Sequence, residues 1–140
     1  MKHLGLLAIC LLVLITTLLA QQSEYVPLKA EAEKFYREGS YARAHELYKK
    51  ADSMTLSADE SRWVDFRIAD TLWRSQQATQ TSDPTVFERA QTQLQALLTV
   101  EEPDQVFAEA HESLGDFFWM RRDARNWSMS WQGYQQALEW

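Results

Sequence analysis

Apolar residues recur at three- and four-residue intervals along most of the chain, the spacing that puts them on one face of an α-helix. Leu28, Ala32 and Phe35 form the first stripe, and Val26-Pro27 opens it, because proline is tolerated in a helix's first turn. Gly39 ends it, and Ser40 is placed to cap a second helix carrying Tyr41, Ala44, Leu47, Tyr48 and Ala51. Ser57 and Glu60 have capping-box spacing for a third helix, with Trp63, Phe66, Ile68, Ala69, Leu72 and Trp73 as its stripe. Asp83-Pro84 is a cap and first-turn pair for a fourth, which carries Phe87, Ala90, Leu94, Leu97 and Leu98. Pro103 opens a fifth, with Phe107, Ala110, Leu114, Phe117 and Phe118, and a sixth runs from about Trp127 onward. No stretch sustains period-two alternation. The pattern predicts an all-α fold of six helices paired as three antiparallel hairpins.

The first twenty residues follow another rule. Lys2 and His3 precede an apolar run from Leu4 to Leu19, Ala20 supplies a small residue, and Gln21-Gln22 begin a polar segment. This is the layout of a secretory signal peptide over 1–20, cut after Ala20, which makes the protein exported, periplasmic or extracellular. The run is shorter than the ~20 apolar residues of a spanning helix, so the membrane is a partner only if this segment stays uncleaved. Cys10, the only cysteine, lies inside it, leaving 21–140 without a disulfide, thiolate metal site or cysteine nucleophile.

The exported part repeats itself. Ala32, Phe35, Gly39, Tyr41, Ala44, Tyr48 and Ala51 resemble the tetratricopeptide repeat, in which small residues let two antiparallel helices approach and aromatics fill the gaps around them. Leu114-Gly115, Phe118, Ser130, Tyr134 and Ala137-Leu138 resemble it again, and Ile68-Ala69, Leu72, Ala90, Leu94 and Leu97 do so more loosely. Ala44 to Ala69 and Ala90 to Gly115 are both 25 residues, so the connections between repeats are equal. The resemblance implies repeats over about 28–53, 58–99 and 103–140, stacked as a right-handed solenoid. The chain departs from the family in two turns, one lengthened by nine residues over the polar stretch Ser75 to Asp83, the other by three. It departs again where the family often has Trp, with Leu28, Asp65 and His111 in those places.

Composition narrows the function classes. The 140 residues carry 14 basic and 20 acidic side chains, net −6, and removing Lys2 with the leader leaves −7. Nucleic acid, which needs a basic face, is excluded as a partner. Four scattered glycines make no phosphate loop. His45-Glu46 and His111-Glu112 begin like a zinc-protease helix, but Lys49 and Gly115 stand where the second histidine belongs. Asp65, Asp70, Asp116 and Asp123 lie beside aromatics, and a glycosidase needs two carboxylates facing across a cleft, but helical solenoids carry such acids on solvated faces. The expectation is a non-enzymatic protein with no cofactor and no metal.

What remains are binding surfaces. In a tetratricopeptide-like solenoid the first helices line the concave face, which would expose Glu31, Lys34, Asp65, Asp70, Arg74, His111 and Asp116. Arg121, Arg122 and Arg125 cluster in the last turn, where cations complement a helix C-terminus or meet an acidic partner. Seven aromatics crowd the last 24 residues. Repeat packing accounts for Phe118, Trp127 and Tyr134 but not for Trp119, Trp131 and Trp140. Such an end is an interaction surface, or an edge that self-associates through Trp131 and Trp140. The binding candidates are therefore Arg121, Arg122, Arg125, Trp131, Trp140, His111, Asp70 and Arg74, for a protein or peptide partner or further domains of the same chain.

The stretches 62–73 (RWVDFRIADTLW) and 112–140 are also similar to the helical N-terminal region of bacterial alpha-2-macroglobulin family proteins. That resemblance implies the N-terminal part of a longer protease inhibitor. It carries over no functional residue, since no thioester cysteine or bait region is present.

Overall fold

The computed structural model describes residues 24–79, 83–121 and 124–140. The leader expected over 1–20 and the candidate Arg122 lie outside the described residues. Within them all regular structure is helical: α1 over residues 24–37, α2 Tyr41–Asp52, α3 Ala58–Gln77, α4 Pro84–Ala96, α5 Gln105–Met120 and α6 Trp127–Glu139.

The ends follow local chemistry. Gly39 has φ 72°, where a side chain would be strained, and the turn closes with Gly39 N–H to Tyr36 O at 3.0 Å and Ser40 N–H to Phe35 O at 2.9 Å. Ser40 precedes α2 but its hydroxyl makes no cap; only its carbonyl accepts, from Arg43 and Ala44 N–H. The reciprocal Ser57–Glu60 capping box forms as expected. Asp83, Asp104 and Asn126 cap α4, α5 and α6 through their side chains, so α5 starts after Asp104 rather than at Pro103. Ser75, expected in the long turn, belongs to α3.

The helix directions are fixed by contact order. Between α1 and α2, Tyr36 meets Tyr41 while Glu33 accepts from Tyr48, an antiparallel pairing. Between α2 and α3, Tyr48 meets Trp63, His45 meets Thr71 and Tyr41 meets Arg74, antiparallel again. Between α5 and α6, Trp119 meets Trp127, and Asp116 accepts from Tyr134. The helices α1 and α3 run parallel, since Lys29 lies over Trp63 and Glu33 pairs with Arg67. The same holds for α3 and α5, where Arg62 reaches Asp104, Ser113 reaches Asp70 and Gln77 reaches the Met120 carbonyl.

The main core lies between α3, α4 and α5, where Trp73, Phe87, Leu94, Ala110 and Phe117 are buried. Trp73 and Phe87 both set ring edges against Phe117, at 5.8 and 6.0 Å. Ala32, Ala44 and Tyr48 form the close approach of α1 and α2, both alanines being buried as their spacing implied. In α5 and α6 the close approach falls at Gly115 and Gly133: a Cβ on Gly133 would stand 2.8 Å from Gly115 N and from the His111 carbonyl. Ser130, the small residue the repeat spacing selected, is buried one turn away.

Candidate functional site

Parallel α1, α3 and α5 bring their polar faces to one cleft of about 230 Å3, bordered by Tyr36, Phe66, Arg67, Arg74, Glu109 and Glu112. Its floor is a charged network. Asp70 is wholly buried, where an exposed position was expected. A carboxylate tolerates this only with its lone pairs filled. Arg74 Nε donates to both oxygens, at 2.9 and 3.0 Å, and Ser113 Oγ donates at 2.6 Å. Trp73 Nε1 donates to Ser113 Oγ at 3.0 Å, so the indole, hydroxyl and carboxylate form one chain.

Arg74 then bridges to α5, donating to Asp116 at 2.7 Å, while the other Asp116 oxygen accepts from Tyr134 of α6 at 2.8 Å. Burial opposes the Arg74 charge, but Asp70, Tyr36 and Asp116 outweigh it and hold the guanidinium more firmly protonated than usual. Tyr36 is pushed well above the ordinary phenol range, by burial first and by Asp70 second. Tyr134 is pushed up to about 12, by burial and then by Asp116. On the α1 side, Arg67 pairs with Glu33 at 3.1 Å and stacks over the Tyr36 ring at 4.3 Å.

The expected site residues thus separate. Asp70, Arg74 and Asp116 come together. Glu31, Lys34 and Asp65 are exposed. His111 is half-buried with its ring edge-on to Phe107 at 4.6 Å, away from this network, and burial lowers its pKa. Arg121 and Arg125 do not form one basic patch. Arg121 lies over Phe87 and Phe117, at 4.7 and 5.3 Å. Arg125 donates to the Trp119 carbonyl at the end of α5 at 2.8 Å, the dipole-complementing placement.

Trp119, Trp131 and Trp140 are exposed, but so is Trp127, which repeat packing was expected to cover. The Trp127 and Trp119 rings meet edge to face with centroids 4.3 Å apart, and the Arg125 guanidinium lies over both, at 5.6 and 5.8 Å.

Ser113, Tyr36, Glu33 and Arg67 were not singled out from sequence. Ser113 had a readable signal, since it falls on the buried stripe Val106, Ala110, Phe117, where a polar residue needs a partner. Ser113 is a hydroxyl beside a carboxylate, but it is buried and its bonds are taken up by Asp70 and Trp73. Among the described residues no group of three His, Cys, Asp or Glu is placed to hold a metal. Among the same residues no helix is long and apolar enough to cross a membrane. Compared with protein-family models, with curated proteins and with solved structures, the chain matches none of them.

Proposed function

We propose that the chain is an exported, non-catalytic module of three tetratricopeptide-like hairpins that binds an extended protein segment along the shared face of α1, α3 and α5. The observation that carries this reading is a repeated stagger. Contacts between α1 and α3 join residues 34 apart, whereas the small anchors Ala32 and Ala69 are 37 apart. Contacts between α3 and α5 join residues 42 or 43 apart, whereas Ala69 and Gly115 are 46 apart. At each junction the new first helix slips three to four residues, about one turn. One operation applied twice supports a solenoid with its first helices along one face.

The cleft's charges favour a cationic segment. Arg67 and Arg74 are committed to Glu33 and to Asp70 with Asp116. Glu112 is exposed on the α5 rim, with Glu109 half-buried beside it. Calorimetry with an Ala-based nonamer carrying three Lys, and with its Glu counterpart, tests this. The Lys peptide is expected to bind, to weaken with salt, and to lose about tenfold in affinity in the Glu109→Gln, Glu112→Gln protein. Equal binding of both peptides, or of neither at millimolar concentration, would remove the reading.

A further inference from the structure

The outer side of α6 carries a stripe of Trp127, Trp131 and Leu138, which are 59%, 64% and 85% exposed. These residues fall within about 40° of one another around the helix. Trp119 extends the stripe through its contact with Trp127. Trp140, also exposed, follows the last turn and falls about 140° away by helical position, so it is not part of the stripe.

Internal comparison shows what this face is built to do. Aligning the second helices on Ala44, Ala90 and Ser130 places Trp127, Trp131, Tyr134 and Leu138 on the positions of Tyr41, His45, Tyr48 and Asp52 in α2. Three of those four α2 residues seat α3, through Arg74, Thr71 and Trp63. Of the corresponding α4 residues, Phe87 meets Phe117 of α5, Leu94 and Leu98 join the core that α3, α4 and α5 share, and Gln91 stands in the place of Trp131. The α6 stripe is therefore the third copy of a surface that twice receives an antiparallel helix.

We infer that it receives α6 of a second copy of this chain. Between residues 124 and 140 the only charged side chains are Arg125 and Glu139, at opposite ends of the stripe. An antiparallel pair centred between Gln132 and Gly133 sets Trp127 against Leu138 and Trp131 against Tyr134, and brings Arg125 to within one residue of the position opposite Glu139 of the second copy. Two-fold symmetry makes each contact twice. The exposed stripe amounts to roughly 600 Å2 of side chain, above most patches that monomers leave in water and close to the ~800 Å2 per partner of a standard interface.

Sedimentation equilibrium of the purified protein tests this, with circular dichroism to confirm folding of each variant. The expected result is a monomer–dimer equilibrium in the micromolar range, weakened at least a hundredfold by Trp131→Glu with Leu138→Glu. Arg125→Glu and Glu139→Lys should each weaken the dimer about tenfold. Mixed together, the two variants should pair about as tightly as the unaltered protein, because each copy then meets its complement. A monomer at ~100 μM, which would leave the stripe to a helix of another protein, overturns the inference. So does a dimer indifferent to the Trp131/Leu138 change, or a mixture no tighter than its components.

Discussion

Ser113 Oγ donates to buried Asp70 at 2.6 Å across the α3–α5 junction, and it accepts from Trp73 Nε1 in the same place. One hydroxyl thus gives Asp70 a donor beside Arg74 and gives the buried indole its acceptor. Ser113→Ala is expected to destabilise the fold by about 1–3 kcal/mol, the cost of leaving buried polar groups unmade. Asp70→Ala, which strands the Arg74 guanidinium beside a single remaining carboxylate, is expected to cost more, about 3–5 kcal/mol. Urea unfolding followed by Trp fluorescence gives both values. Equal losses in the two variants would show that the hydroxyl, rather than the ion pair, holds the junction.

Gly133 lies where α6 touches α5 backbone to backbone. A Cβ there would meet Gly115 N and the His111 carbonyl at 2.8 Å, and neither can move without shifting its helix. At Gly115 the obstacle is the Tyr134 ring, at 2.6 Å. A ring can be displaced more readily than two backbones. Gly133→Ala is therefore expected to cost about 1–3 kcal/mol as overpacking, with Gly115→Ala the milder of the two. Thermal unfolding ranks them, and a Gly133→Ala protein as stable as the parent would contradict this contact.

Helix positions and some caps were legible in the sequence because they depend on neighbours in the chain, whereas the Ser40 cap does not form and the Asp104 and Asn126 caps were not expected. The Ser57–Glu60 box and the Gly39 stop came from local spacing, and the Ala32–Ala44 approach from the resemblance to the tetratricopeptide repeat. The candidate site was legible only in fragments. Asp70 and Arg74 stood out as charges on an expected face, but the spacing within a helix does not say how far that face opens to water. Asp70 sits on the same stripe as Phe66, Ala69 and Trp73, and its burial depends on Ser113, 43 residues away. Gly133 competes with Ser130 for the closest approach, and only the packed pair decides between them. Trp127 has the right period for a covered residue, yet it stays 59% exposed, with only Trp119 and Arg125 shown against its ring among the described residues.

Acidification should weaken the fold in a window set by two histidines. Burial lowers the pKa of both His45 and His111 below the ordinary 6.5. The unfolded chain then binds protons at a pH where the folded chain does not. This contribution is fully present above about pH 6.5 and is lost progressively as pH falls toward the lowered values. The urea midpoint is expected to drop between pH 7.5 and 5.5, and His45→Asn with His111→Asn should flatten that dependence. A slope unchanged in the double variant would assign the effect to other groups. Glu60, Asp83 and Asp104 add a separate loss below about pH 4, since hydrogen bonds hold their carboxyls below the usual range.

Arg62 ties three elements together at the other end of α3. Its Nη2 donates to the Leu97 carbonyl at 2.8 Å, at the C-terminus of α4, and the guanidinium grips Asp104 at 2.6 and 3.0 Å. Asp104 is also the cap of α5, accepting from Phe107 N–H at 2.7 Å. One planar fork therefore fixes where α4 ends and where α5 begins, and so sets the register of the last hairpin against α3. A lysine has one donor group where this site uses two faces of a guanidinium. Arg62→Lys is expected to keep the ion pair with Asp104 and lose the Leu97 carbonyl; Arg62→Ala should lose both and cost about 1.5–3 kcal/mol. Amide hydrogen exchange locates the damage. Faster exchange is expected in the first turn of α5 and the last turn of α4, while the Asp70–Ser113 end of the junction keeps its protection. Uniform loss of protection along α5 would mean that the junction opens as a unit and that Arg62 does not set its register alone.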